Sequence, residues 1–405
     1  MKRFNVTGLC IPEEDYMADI SGKIEQITKL IDDRCYFVIN RARQYGKTTM
    51  LFALERALKD RYTIISISFE GLGAESFAST ESFCRDFLTL VSESLCGSNN
   101  NHSSDHYINS DIDYARKWAD GDVTTFKALG DHISRMCTGK EIVLMIDEVD
   151  KTTNNAVFLQ FLSMLRDKFL ARKRRKSFTF HSVILTGVYD IKNIKFKMIR
   201  EGLYEPSVAE EHLNNSPWNI AADFNIDMSL NPVEIAGMLT DYDSDHHTGM
   251  DLMAVSETIH SYTSGYPFLV SRICQYIDAK NDSEWTTNSV RSAAHAIVNE
   301  KNTLFDDIIM NLENNVELSS AIYDLLILGE AKPYVAYDKI ASLGVLYGFF
   351  RKSESGEKLE IANRMFELLM TNYLISNSMQ KNKKITGVLQ HDLVMNGIYN
   401  RETNF

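Results

Sequence analysis

The sequence predicts an α/β fold in which the strands of a parallel sheet alternate with helices, and three observations support the prediction. Residues 36–39 are a short apolar run, followed by a polar loop and by an apolar segment with helical spacing. Residues 142–146 are a second continuous apolar run, of the length that suits a strand buried on both faces of a parallel sheet. Further strand-like runs, at 63–69 and 180–187, are separated from these two by helical patterns.

The remaining elements are predicted in chain order from the same periodicities. In the first half of the chain, helices are predicted over residues 21–33, 47–59, 80–95 and 157–171, and a last strand over 223–230. The polar stretch 97–105 and the charged stretch 188–220 are predicted to be irregular. After residue 231 the pattern is helical, over residues 232–242, 251–265, 266–279 and 318–329. Residues 335–349 and 358–374 then indicate a helix and turn followed by a strand and helix, an order that favours a winged helix.

The loop after the first strand has the composition of a phosphate-binding loop. Gly46 lets backbone N–H groups approach a phosphate, Lys47 can reach the β- and γ-phosphate oxygens, and the Thr48 hydroxyl can bind Mg²⁺. The full pattern requires a glycine five positions before Gly46, and this chain has Arg41 there. The shorter Gly-Lys-Ser/Thr pattern occurs by chance in about one chain of this length in five. Its value therefore depends on a second motif.

That second motif ends the apolar run 142–146. Asp147 and Glu148 follow the run directly, at the carboxyl end of a predicted strand, where open parallel sheets bind ligands. In a P-loop ATPase the aspartate holds the Mg²⁺ shell, and the glutamate orients or deprotonates the attacking water. The alternative is a buried strand followed by a turn with two solvated acids. Because a phosphate-binding loop precedes the motif, the nucleotide-site interpretation is favoured.

Composition places the chain among ordinary soluble globular proteins. It has 405 residues, 44% of them hydrophobic and 24% charged, which is enough for two or three domains with separate cores. No apolar run approaches the ~20 residues of a transmembrane helix, and the N-terminus lacks the apolar core of a signal peptide. The six cysteines form no Cys-x-x-Cys or Cys/His pair, which is typical of reduced thiols. A cytoplasmic protein with no membrane partner is expected.

The charge balance argues against broad binding of nucleic acid. The net charge is −12, which opposes contact with a polyanion except through a local basic face. One basic run, Arg172-Lys173-Arg174-Arg175-Lys176, lies at the end of the predicted helix 157–171. Because cations are favourable at a helix C-terminus, this run is interpreted as a solvated helix end in preference to a nucleic-acid patch.

Five stretches together resemble the bacterial AAA-like ATPases, which border on the archaeal-type ATPases and the signal-transduction ATPases with numerous domains. The stretches are PEEDYMADISGKIEQI, INRARQYGKTTML, LMIDEVD, SPWNIAADFNIDMS and SGYPFLVSRIC. The resemblance covers the chain from about residue 10 to 375. Arg41 and the Ala-Arg-Gln-Tyr that follows it are similar to the family's own variant of the phosphate-binding loop. The exception at Arg41 is therefore a shared trait, although the residue types alone do not explain it.

The resemblance also implies further site residues. Thr186 ends a predicted strand and matches a polar sensor residue beside the γ-phosphate; the alternative is a polar cap on the sheet. Pro267, in the turn Gly265-Tyr266-Pro267, matches a lid residue that packs against the nucleotide; the alternative is a simple turn between helices. Tyr16 matches a position near the adenine ring, and the alternative is a buried anchor.

Together these assignments give one candidate site with ATP and Mg²⁺ as the expected cofactors. The predicted catalytic residues are Glu148, Lys47 and Thr186, and the predicted metal ligands are Thr48 and Asp147. The predicted nucleotide-binding residues are Arg41, Ala42, Arg43, Gln44, Tyr45, Gly46, Lys47, Thr48, Thr49, Tyr16 and Pro267. No arginine finger is identified. Arg200 and Arg272 are candidates, and each also suits a surface or inter-domain salt bridge.

The resemblance implies a P-loop NTPase parallel sheet with a helical lid domain and a C-terminal winged-helix-like domain. The expected boundaries are an N-terminal linker and helix at 1–34, the P-loop ATPase α/β core at 35–231, the helical lid at 232–312, the winged-helix-like domain at 313–378 and a C-terminal tail at 379–405. Many relatives continue into a PD-(D/E)XK nuclease-like domain, which is expected to be lacking here because the sequence stops at Phe405.

The expected function is a Mg²⁺-dependent, ATP-binding and ATP-hydrolysing switch whose activity is weak or depends on an unidentified protein partner. Two alternatives stay open. A non-hydrolysing nucleotide-binding signalling module would use the same motifs, although the intact Asp147-Glu148 pair favours hydrolysis. A winged-helix DNA-binding regulator is less favoured, because its recognition segment, residues 335–346, contains Lys339 as its one base.

Overall fold

The computed structural model describes residues 2–98, 123–149, 156–187, 218–280 and 284–381. Contacts between Cα atoms divide the chain into two units. The sheet unit comprises Ile20–Arg41 and Gly46–Asp227, and the helical unit comprises Met1–Asp19, Ala42–Tyr45 and Met228–Phe405. The chain therefore passes between the units after residues 19, 41, 45 and 227.

The sheet unit is built on a parallel sheet. Its described strands are β1 (Tyr36–Asn40), β2 (Thr63–Ser68), β3 (Ile142–Asp147) and β4 (Ser182–Gly187). They lie in the order β1-β4-β3-β2, and each neighbouring pair is parallel. All strands therefore end at the same edge of the sheet, where the two sequence motifs are located. The predicted α/β fold with a parallel sheet is confirmed.

Helices cover the sheet, because the apolar runs leave no exposed face on its central strands. Every residue of β3 and β4 is buried, and such strands need cover on both faces. The helices of this unit are α1 (Ser21–Asp32), α2 (Lys47–Leu58), α3 (Thr80–Ser98), α4 (Phe126–Met136) and α5 (Ala156–Lys173). Helix α4 was not predicted from the sequence. It begins after Thr125, whose hydroxyl accepts a hydrogen bond from the Ala128 N–H as an N-cap.

The strand predicted over residues 223–230 is not formed, and this prediction is wrong. Beside β1, one isolated parallel bridge joins Phe37 to Ala222, whose N–H donates to the Tyr36 carbonyl over 2.8 Å. The chain then leaves the sheet edge. The reason is a long-range contact, since the Ile226 carbonyl accepts a hydrogen bond from the Arg41 side chain instead of a strand amide. The irregular segments predicted at 97–105 and 188–220 lie almost entirely outside the described residues.

The basic run at the end of α5 divides into two parts. Lys173 to Lys176 are exposed, as expected for a solvated helix end. Arg172 is different, because its guanidinium donates to the carbonyls of Phe180, His181 and Arg34. These bonds tie the end of α5 to the strand that follows it.

The helical unit has the helices that the pattern after residue 231 predicts, together with two that it does not. The bounds are α6 (Pro232–His246), α7 (Leu252–Thr263), α8 (Pro267–Asp278), α9 (Thr287–Val298), α10 (Thr303–Asn314), α11 (Val316–Leu326), α12 (Lys339–Leu346) and α13 (Arg364–Lys381). Helix α6 starts with a capping box, in which Asn231 and Glu234 satisfy each other's backbone N–H groups. Helices α9 and α10 were not predicted.

The last elements of the helical unit occur in the order that a winged helix requires. Strands β5 (Phe350–Lys352) and β6 (Leu359–Ile361) form an antiparallel ribbon that follows α12 and precedes α13. The winged helix and the domain boundaries at 312 and 378 stay predictions. In the described part of the chain, no helix has both the length and the apolar character needed to cross a membrane.

All six cysteines lie within the described residues, and none is joined to another by a disulfide. Cys84 is fully buried, and its burial raises the pKa of the thiol to about 12. A thiol that stays protonated is unreactive. Cys84 therefore agrees with the reduced thiols that the sequence indicates.

Candidate functional site

The phosphate-binding loop connects the end of β1 to the start of α2. Helix α2 begins at Lys47, and Gly46 before it has a left-handed backbone conformation with φ 77°. Gly46 is the N-cap residue, so this position provides no side-chain cap. The N-terminus of α2 therefore offers backbone N–H donors and the positive end of the helix dipole to an anion.

Lys47 is held by the loop itself. Its side chain is 7% exposed, and its Nζ donates to the Arg41 carbonyl over 3.1 Å. A carbonyl is a weaker partner for an ammonium group than a phosphate, because a bond between two charged groups is stronger. The contact keeps the ammonium group inside the loop that would receive the anion.

Arg41 occupies the position of the missing glycine, and its side chain is directed towards another segment. Its Nη2 donates to the Ile226 carbonyl over 2.7 Å, and its Nη1 donates to the Asn40 carbonyl over 2.8 Å. The guanidinium also lies over the Phe224 ring, 5.3 Å from the centroid. These contacts explain how the loop accommodates an arginine, which the residue types alone did not.

Asp147 joins the two sequence motifs. Thr48, the second residue of α2, donates its hydroxyl to Asp147 Oδ2 over 2.6 Å. The Thr186 hydroxyl donates to Asp147 Oδ1 from the neighbouring strand β4. Asp147 is only 6% exposed and Thr186 is fully buried. The carboxylate at the end of β3 is thus fixed by one hydroxyl on each of its oxygens.

Glu148 follows in a backbone conformation that is rare for a residue with a side chain. Its φ is 56°, in the left-handed region, where such residues cost about 1–2 kcal/mol. Its N–H donates to Asp147 Oδ1 over 2.9 Å. The bond holds the turn at the end of β3, and Glu148 itself is half-buried. Strained residues of this kind occur most often at functional sites.

The donor set fits the Mg²⁺ that the resemblance implies. Thr48 and Asp147 bring two hard oxygen ligands, of the kind that Mg²⁺ prefers, to within 2.6 Å of each other. Thr48 is exposed, so its oxygen is open to an incoming ion. Among the described residues, no group of three or more His, Cys, Asp and Glu side chains is arranged to hold a metal. The Thr48–Asp147 pair suits an ion of the kind that takes its remaining ligands from water and nucleotide phosphates.

The middle of the phosphate-binding loop, residues 42–45, contacts helices of the helical unit. Arg43 Nη1 lies 2.9 Å from Asp307 Oδ2, and Gln44 Nε2 donates to the Thr303 hydroxyl over 3.0 Å. Both partners are on α10. The Tyr266 hydroxyl, just before α8, donates to the Arg43 carbonyl. These polar contacts fix the backbone of the loop on both sides of Gln44, whose φ of 55° is also left-handed.

Aromatic and small side chains complete the surroundings of residues 42–45. The rings of Tyr45 and Tyr266 meet edge to face with centroids 4.6 Å apart. Ala42 is buried, and a side chain on Gly348 would meet its Cβ. Thr49, beyond the loop, is half-buried in the first turn of α2. The sequence did not predict these partners of the loop, although Tyr266 was noted as part of a turn.

Tyr16 and Pro267, the two residues assigned to the base by resemblance, lie in different surroundings within the helical unit. Tyr16 is 2% exposed, and its hydroxyl donates to Asp245 over 2.9 Å. Its ring packs against Phe4 and Tyr242 at centroid distances of 5.0 and 5.2 Å. These are the contacts of a buried anchor, the alternative considered above. Pro267 is the first residue of α8 and is half-buried.

Of the two arginine-finger candidates, only Arg272 lies within the described residues. Arg200 lies outside the described residues. Arg272, on α8, forms a salt bridge with Glu300 and donates to Gln275 over 2.6 Å. These contacts correspond to the salt-bridge interpretation. Neither contact assigns Arg272 a role at a phosphate.

Comparisons with known proteins were made with both the sequence and the fold. A family model described as an AAA-like domain matches residues 16–346, well over half of the chain. A comparison with curated proteins finds no match.

Solved structures similar in fold include ORC and Cdc6 proteins. The ORC2 protein of Aeropyrum pernix, in ADPNP–ADP complexes, is 12% identical, with a TM-score of 0.44 over 91% of this chain and 97% of that chain. Cdc6p from Pyrobaculum aerophilum is 13% identical, with a TM-score of 0.38 over 92% and 97%. The Aeropyrum pernix ORC1 protein in complex with DNA is 10% identical, with a TM-score of 0.29 over 90% and 94%. These scores are too low to add to the family match.

The family match spans both sequence motifs, which the fold brings together through the Thr48–Asp147 contact at one edge of a parallel sheet. The match covers well over half of the chain, which is sufficient to assign the family. The chain belongs to the AAA-like domain family of P-loop ATPases.

Proposed function

We propose that the protein is a Mg²⁺-dependent switch that binds and hydrolyses ATP. One observation carries the proposal, namely that Asp147 is bound by the Thr48 hydroxyl on one oxygen and by the Thr186 hydroxyl on the other. A carboxylate fixed in this way, beside the first turn of a helix that can hold a phosphate, has the position of the metal-holding aspartate in P-loop ATPases.

The residues of the sheet unit divide the work of phosphate binding and catalysis. Lys47 exchanges the Arg41 carbonyl for the β- and γ-phosphate oxygens, and the amides at the start of α2 bind the same group. Thr48 and Asp147 hold Mg²⁺, which when bound neutralises charge on the phosphates. Glu148 orients the attacking water and accepts its proton. Thr186 keeps the Asp147 carboxylate in the orientation that the metal requires.

The remaining residues assigned from the resemblance contribute to nucleotide binding. The backbone of residues 41–46 surrounds the phosphates, and Thr49 supports them from the first turn of α2. Pro267 packs near the base or ribose. Tyr16 is the exception, because its ring is buried and its hydroxyl is bound to Asp245. We also propose a cytoplasmic location and an unidentified protein partner that responds to the bound nucleotide.

The binding part of the proposal is tested with Lys47→Ala. We expect the variant to bind ATP at least about 100-fold more weakly, because a buried charge-assisted bond to phosphate is worth several kcal/mol. The matched control is Lys59→Ala, which removes an exposed lysine at the other end of α2. Isothermal titration with ATP and Mg²⁺ measures both. Equal affinity of Lys47→Ala and wild type would show that the site is assigned wrongly.

Hydrolysis is tested separately with Glu148→Gln. The substitution keeps the size of the side chain and removes its proton acceptor, so we expect normal ATP binding and a loss of phosphate release of about 100-fold or more. The control is Glu25→Gln, on the exposed surface of α1. If phosphate release from wild type is no faster than from Glu148→Gln, the protein is a nucleotide-binding module that does not hydrolyse ATP.

A DNA-reading function receives no support from the described recognition segment. Lys339 is the one basic residue on α12, which spans Lys339–Leu346. Stable contact with duplex DNA requires several phosphate-neutralising cations. We therefore make no proposal of DNA binding.

A further inference from the structure

Arg41 connects two segments at which the chain leaves the sheet unit. The first stretch of this unit ends at Arg41, and its second stretch ends at Asp227. The Arg41 guanidinium donates to the Ile226 carbonyl over 2.7 Å, one residue before the second exit. One side chain thus ties the start of the phosphate-binding loop to the segment that leads into α6.

Two further contacts fix the segment 222–227 to β1. Its first residue donates its N–H to the Tyr36 carbonyl over 2.8 Å. Two residues later, the Phe224 ring stacks on Phe37 with centroids 5.9 Å apart. The Arg41 guanidinium also lies over the Phe224 ring, 5.3 Å from its centroid. Arg41 and Phe37 therefore both hold Phe224 in place.

The main chain of Arg41 contacts the residue that would bind phosphate. Its carbonyl accepts the hydrogen bond from Lys47 Nζ over 3.1 Å, and its N–H donates to the Gly187 carbonyl over 3.3 Å. When Lys47 turns to a phosphate, the Arg41 carbonyl loses a charged partner. The main chain of Arg41 therefore loses a contact when Lys47 binds phosphate, and its side chain contacts the segment 222–227.

We propose that Arg41 is a positioning residue that transmits the nucleotide state of the phosphate-binding loop to the segment 222–227. The proposal rests on the proposed function, because it takes Lys47 to be the phosphate ligand. It also explains why an arginine replaces the glycine of the usual loop. A glycine would leave the Ile226 and Asn40 carbonyls without these donors and uncover the Phe224 ring.

The geometry requires arginine in particular. Its planar guanidinium can donate to two carbonyls and stack on an aromatic ring at the same time. A lysine has a single nitrogen at the end of a flexible chain, so it can satisfy only part of this set. Arg41→Lys is therefore expected to keep part of the contacts that fix the segment 222–227. Arg41→Met keeps only the apolar length of the side chain and is expected to lose all of its hydrogen bonds.

Hydrogen exchange in a peptide covering residues 218–230 tests the proposal without relying on activity. In the full-length protein without nucleotide, we expect Arg41→Met to accelerate exchange in this peptide at least tenfold, and Arg41→Lys to accelerate it less. In wild type, Mg²⁺ and ATP change the exchange of this peptide. In Arg41→Met they do not, at an ATP concentration that titration shows to saturate this variant.

Two controls make the result specific. Arg61→Met removes an arginine with similar contacts elsewhere in the sheet unit, since Arg61 bonds Asp32 over 2.8 Å and lies 5.2 Å from the Tyr62 ring centroid. It should leave exchange of residues 218–230 unchanged. Lys47→Ala removes the donor to the Arg41 carbonyl permanently, so it should shift the exchange of the peptide without nucleotide towards the ATP-bound value and lose the response to ATP.

The outcomes separate this proposal from the proposed function. Exchange in Arg41→Met that equals wild type with and without ATP overturns the role of Arg41, whatever the affinity for ATP. A wild-type protein that binds no ATP overturns the proposed function, and with it the transmission. If Arg41→Met does not fold, Arg41→Lys decides the matter, and an unchanged response in that folded variant overturns the proposal.

Discussion

At the scale of single residues, the end of β3 is arranged around one carboxylate. Asp147 receives the hydroxyls of Thr48 and Thr186 and the N–H of Glu148. Hydrogen bonds to a carboxylate fix its direction. The side chain is thus oriented before any ligand binds, which lowers the cost of assembling a metal site.

Thr186→Val removes one of these bonds while keeping the shape of the side chain. A hydrogen bond to a charged group contributes about 1.5–3 kcal/mol, and about 1.4 kcal/mol corresponds to a factor of ten in rate. We therefore expect kcat/KM for ATP hydrolysis to fall about 10- to 100-fold. Steady-state phosphate release measures the effect.

The control for this substitution is Thr179→Val. Thr179 is also buried, and its hydroxyl lies 3.3 Å from the Tyr36 hydroxyl near the start of β4. Its replacement should affect stability without changing kcat/KM. An unaltered kcat/KM in Thr186→Val would mean that Asp147 needs no support from β4.

His181 makes stability depend on pH. It is 7% exposed, and its Nδ1 lies 3.2 Å from Glu141 Oε1. Burial lowers the pKa of this imidazole, although Glu141 opposes the shift. An unfolded histidine has a pKa of about 6.5, so below this pH the unfolded chain binds a proton more readily than the folded one. The contribution of His181 to the free energy of unfolding is therefore fully present above that pH. It is lost as the pH falls from there through the lower pKa of the folded state.

Urea unfolding between pH 7.5 and 5.5 checks the sign of this effect. As the pH is lowered, the free energy of unfolding should decrease in wild type and decrease less steeply in His181→Gln. Part of the slope should persist, because burial also lowers the pKa of His132. If His181→Gln has the same slope as wild type, His181 does not contribute to the pH dependence of stability.

At the scale of elements, the success of sequence reasoning follows the locality of its signals. Strands β3 and β4 were predicted because continuous apolar runs of their length need cover on both faces. The start of α2 was predicted from the Gly46-Lys47 pair. The strand at 223–230 was wrong because Arg41, far away in sequence, takes the Ile226 carbonyl.

The surroundings of the loop were beyond sequence reasoning for the same reason. Arg43 and Asp307 are 264 residues apart in the chain, and no periodicity connects them. Helix α10, which carries Asp307, was itself not predicted. The residues that bind a phosphate follow from a local pattern, whereas those that hold the loop around it depend on the tertiary structure.

The connection before α8 depends on Gly265. Its φ is +71°, and a Cβ there would collide with the Leu230 carbonyl. The two residues are already close, because the Leu230 N–H donates to the Gly265 carbonyl over 2.8 Å. We expect Gly265→Ala to lower the free energy of unfolding by about 3 kcal/mol or more, the sum of a left-handed backbone and a backbone clash.

Gly249→Ala separates these two causes. Gly249 has a similar φ of +65° with no atom within 4 Å of the added Cβ, so it should cost only about 1 kcal/mol. Chemical denaturation followed by circular dichroism compares the two variants. Equal effects would show that the approach of Leu230 is unimportant.

At the scale of the whole molecule, the net charge of −12 makes the cations of the loop more important. A protein with this charge repels ATP at a distance, so affinity must come from the local donors. Ligand binding to the folded state alone should then appear as added stability, by about 2.7 kcal/mol at a concentration 100 times Kd.

Thermal unfolding with ATP therefore tests the metal as well as the nucleotide. We expect ATP with Mg²⁺ to raise the Tm of wild type, and ATP with excess EDTA to raise it much less, because Thr48 and Asp147 then lack their ion. Lys47→Ala should show neither shift. An equal shift with and without Mg²⁺ would argue against these two residues as metal ligands.

The division of the chain into its units also bears on how the protein can be engineered. The sheet unit consists of two stretches and the helical unit of three, with residues 42–45 forming the shortest. A single cut after Asp227 leaves every residue of the sheet unit in the N-terminal fragment, but it separates Met228–Phe405 from the other two stretches of the helical unit. Expression of Met228–Phe405 alone should therefore yield an incomplete core, and a transplant of the helical unit into another protein must carry residues from both ends of the chain.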